Sequence, residues 1–343
     1  MTTQRLADFT TLRVGGPPDG LVTVTTTEQL VSAVRLSAEL QQPILVVGGG
    51  SNLVVSDAGF PGTAVIVRSR GIDAHDHSNN RVRVDVAAGE PWDDFVNWAI
   101  THKLAGVETL SGIPGLSGAT PIQNVGAYGQ EIGNVIDSVQ AIHRYTGEMR
   151  TFSADECEFA YRTSVFKQRA NVFVVTSVRF VLRPSVESDP IRYAELASAL
   201  GIELGGTMPL AAVRDAVLSL RRNKAMVLDD DNHDTWSAGS FFTNPLLAPE
   251  LANALPGDAP RWIQPDGRVK TSAAWLIEKA GFRKGFGSGS ARLSTKHVLA
   301  ITNSDGEATA ADIVELARAI RQRVNETFGV VLEPEPVLVG IEL

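Results

Sequence analysis

Residues 111–129 read SGIPGLSGATPIQNVGAYG, and their composition sets them apart from the rest of the chain. The stretch holds five glycines and two prolines, and no charged residue occurs from Ser111 through Gln130. Glycine allows the backbone to approach a ligand closely and to present N–H and C=O groups to it. A flat ring with polar edges, such as a flavin, needs that kind of lining. The stretch therefore predicts a ligand-binding loop, and a plain connecting loop is the alternative.

A second glycine-rich turn, Gly48-Gly49-Gly50-Ser51-Asn52, follows the apolar run Ile44–Val47. It does not fit a dinucleotide fingerprint, which needs glycine at its first, third and sixth positions before a helix. The sixth position is Leu53, and Leu53–Val55 is typical of a strand. Successive backbone N–H groups in such a turn can instead form a nest for phosphate oxygens. A phosphate site and a tight turn after a buried strand are the two interpretations of this segment.

The overall composition indicates an ordinary globular protein. Hydrophobic residues make up 43% and charged residues 20% of the 343 residues, and the length favours two or three domains. The formal net charge is -8, from 39 acidic against 31 basic residues, and no run of Lys or Arg occurs. Such a chain gives no electrostatic indication of nucleic acid or of an anionic membrane as a partner. An anionic ligand would need a few cations placed locally.

The cysteine count and the hydropathy pattern restrict the chain further. Cys157 is the single cysteine, which excludes an internal disulfide framework and cysteine-rich metal sites, and we expect no metal. No apolar h-region follows the first residues, so we expect no signal peptide. The longest apolar runs are far too short to cross a bilayer. We therefore expect a cytoplasmic protein that does not enter the membrane.

Hydrophobic periodicity predicts a mixture of helices and strands along the whole chain. An early β-α-β unit consists of a strand at Gly20–Thr25, a helix opened by a capping box of Thr26 and Gln29, and the strand Ile44–Val47. Further predicted strands are Val65–Val67, Arg81–Val86, Ser138–His143, Val172–Leu182, Val298–Thr302 and Val330–Leu332. Further predicted helices are Trp92–Trp98, Leu210–Leu220, Ala273–Lys279 and a last one that opens at Thr309 with Asp312 and closes at Gly329, while Arg183–Ser185 is a predicted linker.

Three side chains lie in segments whose pattern leaves two interpretations open. Arg162 lies among apolar and aromatic residues, and it is either a surface arginine or a guanidinium aimed at a carboxylate. Ser240 precedes two phenylalanines and lies outside any serine-hydrolase elbow, so it is either bonded to the backbone or a proton donor. Glu335 lies between two prolines, and it is either a solvent-facing carboxylate, as is usual in such a position, or a functional one.

Taken in order, these segments resemble those of the UDP-N-acetylenolpyruvoylglucosamine reductase (MurB) family, and the resemblance covers essentially the whole chain. The segments that carry it are Thr11–Pro17, Gly48–Asn52, Ile113–Gly129, Tyr161–Lys167, Gly239–Pro245 and Leu332–Glu335. The implied fold is α+β, with a two-part FAD-binding domain of the vanillyl-alcohol-oxidase (PCMH) type and then a smaller α+β substrate-binding domain. The implied division gives FAD-binding subdomains at 1–66 and 67–184 and a substrate-binding domain at 205–329, with a C-terminal strand within 330–343 returning to the first.

The resemblance implies an FAD-dependent oxidoreductase of peptidoglycan precursor synthesis. It would reduce UDP-N-acetylglucosamine enolpyruvate to UDP-N-acetylmuramate with NADPH as co-substrate, and hydride would pass from N5 of a non-covalently bound flavin. Arg162 and Glu335 correspond to the pair that polarises the enolpyruvyl carboxylate, and Ser240 corresponds to the acid that protonates the neighbouring carbon. The implied partners are small molecules alone, and we expect a monomer.

The binding positions of the family carry over to two groups of residues. The cofactor-binding group is Gly48, Gly49, Gly50, Ser51, Asn52, Leu53, Gly112, Ile113, Pro114, Gly115, Gly118, Ala119, Gln123, Asn124, Gly126, Ala127 and Tyr128. The substrate-binding group is Tyr161, Tyr193, Lys224, Asn244 and His297. Tyr193 points to the longer type of the family, in which its segment covers the nucleotide, whereas Thr243 and Thr163 depart from residues that are common in the family.

Other functional classes remain open at the level of sequence. An FAD oxidase on the same fold would often attach its cofactor through His or Cys, and neither residue occurs in the two glycine-rich segments. A nucleotide-sugar sensor without turnover would not need Arg162, Ser240 and Glu335 together, because binding alone requires no proton donor. In a flavin-free binding module the glycine-rich segments would be plain connectors, and a colourless purified protein would favour that class.

Overall fold

A computed structural model describes residues 4–77 and 80–343. The α-helices are α1 (Thr27–Leu40), α2 (Trp92–Thr101), α3 (Val165–Gln168), α4 (Ala194–Leu200), α5 (Leu210–Asn223), α6 (Pro249–Ala254), α7 (Ala273–Lys279) and α8 (Ala310–Phe328). The β-strands are β1 (Pro18–Val24), β2 (Ile44–Val47), β3 (Leu53–Val55), β4 (Phe60–Val67), β5 (Ile72–His77), β6 (Arg81–Ala87), β7 (Leu104–Ala105), β8 (Gly126–Ala127), β9 (Gln130–Glu131), β10 (Ile136–His143), β11 (Met149–Ser153), β12 (Phe173–Pro184), β13 (Leu246–Leu247), β14 (Trp262–Ile263), β15 (Val269–Lys270), β16 (Ala291–Leu293), β17 (Ile301–Asn303) and β18 (Val337–Val339). None of the described helices is both long enough and apolar enough to span a bilayer.

The chain folds into two compact units, and both are discontinuous in sequence. The central unit comprises Asp19–Gly49 and Pro61–Val227, and the terminal unit comprises the described residues up to Pro18, Gly50–Phe60 and Leu228–Leu343. The chain passes from one unit to the other inside the glycine-rich turn, between Gly49 and Gly50. The predicted division at 1–66, 67–184 and 205–329 stays a prediction.

The smaller sheet of the central unit has the strand order β1-β4-β2, and β2 and β4 are parallel. Helix α1 begins after Thr26, whose hydroxyl accepts a hydrogen bond from the Gln29 N–H at 3.2 Å. The predicted capping box is only half formed, because the Gln29 side chain accepts from the backbone N–H of Thr25 instead. Leu30 and Val34 are fully buried in the core that the helix shares with this sheet.

The larger sheet of the central unit is antiparallel along the path β11-β10-β12-β6-β5. Strand β6 alternates as predicted, with Val84 and Val86 fully buried. Helix α2 covers this face because Trp92 and Phe95 pack on Phe180 of β12, with ring centroids 6.1 and 4.9 Å apart. Strand β5 lies at the exposed edge of the sheet. Its sequence therefore lacks apolar alternation, and the sequence prediction omitted it.

The end of the larger sheet leads into two helices of the same unit. Strand β12 continues to Pro184 and pairs there with β7, so the predicted linker Arg183–Ser185 begins inside the sheet. Helices α4 and α5 follow, and they share a small apolar core of Leu196, Val213 and Val217. Helix α5 begins at the predicted residue and extends further at its C-terminal end.

In the terminal unit, strand β18 pairs in parallel with β3. The predicted strand at Val330–Leu332 is wrong, because these residues form no ladder and the C-terminal strand begins only at Val337. Val330 and Leu332 are buried in the apolar core of this unit, whereas Val331 between them is exposed. Burial therefore alternates here as it would in a strand. The strand predicted at Val298–Thr302 is shorter than expected, since β17 begins at Ile301.

Helix α8 forms as its sequence predicts. The Thr309 hydroxyl accepts from the Asp312 N–H at 3.1 Å, and the Asp312 carboxylate accepts from the Thr309 N–H at 2.8 Å, which completes a capping box. Gly329 ends the helix with a φ of 68°, in the left-handed region that glycine adopts readily. Ile320 and Val324 are fully buried on the face that points into the core. Both end signals and the buried face are confirmed.

A bidentate ion pair stabilises the central unit beside the 111–129 loop. Both Arg214–Asp93 contacts are 2.7 Å long, and the Gly112 N–H donates to the same carboxylate at 2.6 Å. Burial raises the pKa of Asp93, but the bonds from Arg214 and Gly112 lower it more, so this pKa lies below its ordinary value. Such a carboxyl stabilises the folded state above its unfolded pKa, and the contribution is lost as pH falls through the folded pKa.

We expect Asp93→Asn to lower the free energy of unfolding at pH 7 by about 1–3 kcal/mol, because Arg214 loses its charged acceptor. The deficit should start to shrink as pH falls below about 4, where the unfolded carboxyl takes up a proton, and should be lost below the lower pKa of the native carboxyl. Urea unfolding at pH 7 and at acid pH measures both quantities. The exposed neighbour provides the control Asp94→Asn, and a deficit that does not change with pH would contradict this account.

Candidate active site

The predicted site residues are divided between the two units. The central unit contains Gly48, Gly49, Gly112, Ile113, Pro114, Gly115, Gly118, Ala119, Gln123, Asn124, Gly126, Ala127, Tyr128, Tyr161, Arg162, Tyr193 and Lys224. The terminal unit contains Gly50, Ser51, Asn52, Leu53, Ser240, Asn244, His297 and Glu335. Each group is described within its own unit.

The two glycine-rich segments touch each other inside the central unit. A Cβ atom on Gly49 would lie only 2.7 Å from the Gly115 Cα. A Cβ atom on Gly118 would lie 2.4 Å from the Cβ of Ala88. Side chains are therefore excluded at both positions, which explains the glycines there. Residues 111–129 are called here the glycine loop. The structure brings Gly49 and the glycine loop together, and both belong to the residues predicted to bind the cofactor.

The Asn124 side chain is used to fold the glycine loop itself. It is buried, its amide nitrogen donates to a Glu131 carboxylate oxygen and the Ala160 carbonyl oxygen, and its oxygen accepts from the Gly133 N–H. These bonds are 2.9, 3.1 and 2.9 Å long. Because both ends of this amide are engaged, Asn124 shapes the loop, and its backbone is the part that remains for a cofactor contact.

Two buried polar atoms beside the glycine loop, Ser117 Oγ and Arg221 Nε, have no hydrogen-bond partner in the part of the chain that the structure describes. The Arg221 Nε would lie 3.6 Å from a Cβ on Gly112. Burial lowers the pKa of Arg221 to about 10, although Tyr128 and Asp93 act in the opposite direction. Buried donors of this kind are available to a ligand that carries acceptors. The polar edge of a flavin carries carbonyl oxygens and ring nitrogens, so the residues present fit FAD.

The Arg162 guanidinium reaches the glycine loop, where its Nη2 donates to the Gly126 carbonyl oxygen at 2.8 Å. Arg162 has a φ of 52° in a tight turn that Ala160 and Thr163 close with reciprocal backbone hydrogen bonds. Such left-handed non-glycine residues are strained and cluster at functional sites. The Tyr161 ring centroid lies 5.7 Å from the Arg162 Cζ. These contacts agree with the predicted role of Arg162, which stays a prediction.

Tyr128, Tyr193 and Lys224 meet in one cluster of the central unit. The two tyrosine rings are in edge contact with centroids 5.5 Å apart, and the Lys224 Nζ lies 5.7 Å from the Tyr128 ring centroid. Burial raises the pKa of Tyr128 to about 12, so its hydroxyl stays protonated and can donate a hydrogen bond. Lys224 also pairs with Glu195 at 2.7 Å, a residue that the sequence did not single out. Predicted cofactor-binding and substrate-binding residues are therefore adjacent here.

Ser240 and Glu335 lie on neighbouring segments of the terminal unit. The Glu335 N–H donates to the carbonyl oxygen of Phe241, the residue after Ser240, at 2.9 Å. Asn52, at the end of the glycine-rich turn, donates from Nδ2 to the Glu335 carbonyl oxygen at 3.2 Å. The structure therefore brings together two predicted catalytic residues and one predicted cofactor-binding residue.

Asn244 and His297 occupy turns of the same unit. The Asn244 Oδ1 accepts the Ala273 N–H at 2.9 Å in the first turn of helix α7. The capping bond does not use the Asn244 Nδ2, which is the group that could donate to a substrate oxygen. His297 lies in a turn before β17, where its N–H donates to the Ser294 Oγ at 3.3 Å and its carbonyl oxygen accepts from the Ala300 N–H at 3.2 Å.

Comparison with known proteins identifies the family to which the chain, with the predicted site residues of both units, is similar. Residues 18–153 match the family model described as FAD binding domain, and residues 231–339 match that of the UDP-N-acetylenolpyruvoylglucosamine reductase C-terminal domain. The UDP-N-acetylenolpyruvoylglucosamine reductase of Thermobifida fusca is 51% identical over 348 residues, covering 98% of this chain and 97% of that protein. The chain belongs to the UDP-N-acetylenolpyruvoylglucosamine reductase (MurB) family. The protein of the same name from Salinispora arenicola is 50% identical over 346 residues, covering 98% of this chain and 95% of that one.

A solved structure agrees with this assignment to the MurB family. The crystal structure of MurB from Thermus caldophilus is 27% identical, with a TM-score of 0.67, and the match covers 98% of this chain and 97% of that chain. The predicted family is therefore confirmed. So is the predicted fold class, an FAD-binding domain of the PCMH type with an α+β MurB C-terminal domain.

Proposed function

We propose that this MurB-family chain reduces UDP-N-acetylglucosamine enolpyruvate to UDP-N-acetylmuramate with NADPH, through bound FAD, in peptidoglycan precursor synthesis. One observation carries the proposal, namely an alignment of 51% identity that spans nearly all of this chain and of a protein named for that reaction. The reaction adds hydride and a proton across the enolpyruvyl double bond, and NADPH is oxidised in exchange. The chain must therefore bind both substrates, stabilise charge on the enolpyruvyl carboxylate and deliver a proton.

The glycine-rich turn and the glycine loop are the parts of the chain that would hold FAD. Backbone N–H groups of Gly50, Ser51 and Asn52 would form the nest for its diphosphate, and the glycine loop would line its ring. Ser117 and Arg221 offer buried donors to acceptors on the ring. Bound FAD supplies hydride transfer, which no side chain of this chain can perform.

Arg162 is proposed to stabilise the charge that develops on the enolpyruvyl carboxylate. A preorganised donor aimed at developing charge is typically worth about 3–4 kcal/mol of transition-state stabilisation. The bond from Nη2 to the Gly126 carbonyl oxygen holds the guanidinium plane in place before substrate arrives. Glu335 is proposed to act on the same carboxylate. Its backbone is fixed at both the N–H and the carbonyl oxygen, which limits the positions of its side chain.

Ser240 is proposed to protonate the carbon next to the carboxylate. A hydroxyl can serve as the acid when the carbon has become strongly basic, provided that it lies within hydrogen-bond reach. Ser240 is half-buried and follows Gly239, whose φ of 72° lets the chain turn sharply before it. The Phe241 carbonyl oxygen on its other side accepts from the Glu335 N–H, which fixes the backbone that follows Ser240.

The proposed function is tested by following both substrates to product. Purified protein is supplied with FAD, NADPH and UDP-N-acetylglucosamine enolpyruvate in the absence of oxygen. We expect NADPH to be consumed in equal amount to a product that carries two more hydrogens than the sugar nucleotide. NADPH oxidation that needs oxygen and leaves the sugar nucleotide unchanged would contradict the proposal and favour an oxidase.

The ion pair between Glu195 and Lys224 bears on substrate affinity, because we propose that the Lys224 ammonium group binds the diphosphate of the sugar nucleotide. The Glu195 carboxylate competes with that diphosphate for the ammonium group. We expect Glu195→Gln to lower the KM for the sugar nucleotide by about three- to tenfold, the equivalent of roughly 1 kcal/mol for a part-exposed ion pair. The effect should weaken as salt is added, since ions screen exposed charges.

The matched control for this variant is Glu203→Gln, which removes an exposed carboxylate from the same unit and changes the net charge equally. Steady-state kinetics at low and high salt compare the two variants. A higher KM in Glu195→Gln would show that Glu195 is needed to hold Lys224 in position, and the competition account would be dropped.

We also propose that the protein acts in the cytoplasm as a monomer, without nucleic acid or membrane as a partner. The net charge of -8 supports the last part of this proposal, because it disfavours polyanionic partners such as nucleic acid or an anionic membrane. We also propose FAD-binding subdomains at 1–66 and 67–184 and a substrate-binding domain at 205–329. Sedimentation with FAD bound would test the monomer, and a concentration-dependent dimer would contradict it.

A further inference from the structure

Thr11 belongs to the N-terminal motif Thr11–Pro17, for which the proposed function provides no role. The side chain is buried at 6% exposure, and its hydroxyl donates to the Ser237 carbonyl oxygen at 2.7 Å. Its backbone N–H donates to the Gly50 carbonyl oxygen at 3.2 Å. One residue therefore joins the glycine-rich turn to the segment that leads to Ser240, and all of these residues lie in the terminal unit.

The N-terminal segment fits closely against the glycine-rich turn. Gly50 has a φ of 62°, and a Cβ atom there would lie 2.0 Å from the Phe9 carbonyl oxygen and 2.7 Å from the Thr10 Cα. A side chain at Gly50 is therefore excluded both by its backbone conformation and by this contact. The position of Thr11 is fixed relative to the turn that is proposed to hold the FAD diphosphate.

Ser240 lies on a short segment between two anchored points. At one end Thr11 holds the Ser237 carbonyl oxygen, and the Ser237 Oγ accepts from the Gly239 N–H at 3.2 Å. At the other end the Phe241 N–H donates to the Leu299 carbonyl oxygen at 2.7 Å. With both ends held, the segment 238–240 has little freedom. Ser237 also forms an antiparallel bridge with Thr302, so loss of the Thr11 bond would loosen this end without freeing it, and the Ser240 hydroxyl could then take a wider range of positions.

Other contacts hold the same two segments together independently of Thr11. Asn303, which is fully buried, donates from Nδ2 to the Leu12 carbonyl oxygen at 3.4 Å and from its N–H to the Trp236 carbonyl oxygen at 3.0 Å. The Arg13 guanidinium lies over the Trp236 ring, 4.5 Å from its centroid. The terminal unit should therefore stay folded when the Thr11 hydroxyl alone is removed, and only the local position of the 237–240 segment should change.

We propose that Thr11 is a positioning residue for Ser240, because its buried hydroxyl fixes the start of the segment that carries the proton donor. The hydrogen bond from the Thr11 N–H to the Gly50 carbonyl oxygen holds that segment in a fixed position relative to the glycine-rich turn. This inference rests on the proposed role of Ser240. It adds a residue that would act through the Ser237–Ser240 segment and control where the proton is delivered.

The test is Thr11→Val, which keeps the shape of the side chain and removes its hydroxyl. We expect reoxidation of the reduced holoenzyme by the enolpyruvyl sugar nucleotide to slow about 10- to 100-fold, the usual effect of displacing a reacting group slightly. Reduction of the holoenzyme by NADPH and the dissociation constant for FAD should stay within about threefold, because the backbone bond to Gly50 persists. Amide hydrogen exchange at Gly239 should become faster.

Three further variants make the outcome decisive. Thr11→Ser keeps a hydroxyl and should restore the rate, whereas Thr10→Val removes a neighbouring hydroxyl that bonds to Val14 within its own loop and should not slow the step. In a Ser240→Ala background, Thr11→Val should add less than about twofold, since residues that act as one unit are not additive. If Thr11→Val does not fold, Thr11→Ala provides the same comparison.

Two kinds of result would overturn the inference. If Thr11→Val slows both half-reactions equally, or adds its full effect to Ser240→Ala, Thr11 is merely structural. If Ser240→Ala slows reoxidation while Thr11→Val does not, the proposed function of Ser240 stands and the positioning role of Thr11 falls. If Ser240→Ala itself leaves reoxidation unchanged, the proton-donor role fails first and the inference fails with it.

Discussion

Replacing Ser240 with alanine is expected to slow reoxidation of the reduced enzyme by the enolpyruvyl sugar nucleotide about 10²- to 10⁴-fold, the range for loss of a general acid. Reduction by NADPH needs no proton from Ser240, so that half-reaction should stay close to the rate of the unaltered protein. Anaerobic stopped-flow absorbance measures the two half-reactions separately. The expected signature is therefore a large loss in one half-reaction and almost none in the other.

The control for this variant is Ser304→Ala, which removes a hydroxyl from the same unit whose bond goes to the Ser290 carbonyl oxygen. It should leave both half-reactions unchanged. Equal losses in the two half-reactions of Ser240→Ala would mean that the substitution disturbs the cofactor site as a whole. A rate that does not change at all would assign the proton to another group or to solvent.

Arg162→Lys is the second substitution with a large expected effect. Lysine keeps the charge but loses the planar fork that donates to Gly126 and that, in the proposed role, would face the substrate carboxylate. We expect kcat/KM for the sugar nucleotide to fall about 10²- to 10³-fold, the typical loss on removing one preorganised donor. Most of the loss should appear in kcat, because the charge develops only as the double bond is reduced.

Arg169→Lys is the matched control, because Arg169 is an exposed arginine of the same unit. It should have no measurable effect. A rise in KM for Arg162→Lys with kcat unchanged would show that Arg162 binds the ground state and the transition state equally. The charge-stabilising role would then have to be given up, although a role in binding would remain.

The sequence predicted correctly the helices and strands that are determined by residues within the segment itself. Helix α8 is an example, because its capping box and its closing glycine lie within the segment that they delimit. The glycine loop was recognised from its lack of charge, and the contact between Gly49 and Gly115 gives a steric reason for its glycines. Strand β5 was omitted because an exposed edge needs no apolar alternation. Val330–Leu332 misled the prediction because burial without a ladder produces the same alternation as a strand.

The parts of the candidate site that were missed depend on distant pairs. Arg221 is one of two arginines in the last turn of helix α5, and nothing in its local sequence indicates that the fold buries it. Glu195 bears on the site only because it forms an ion pair with Lys224. Thr11 bonds to Ser237, which is 226 residues away in sequence. No periodicity or spacing encodes such pairs. Family resemblance supplied roles for residues that match known motifs, whereas the residues that orient them had to be found in the structure.

The most direct test of the central claim is an anaerobic visible spectrum of the purified protein with FAD. The spectrum is recorded first alone, then after NADPH, and finally after UDP-N-acetylglucosamine enolpyruvate. The account predicts a flavin band that bleaches with NADPH and returns in full when the sugar nucleotide is added. A band that returns only when air is admitted, or no flavin band at all after incubation with FAD, would contradict it.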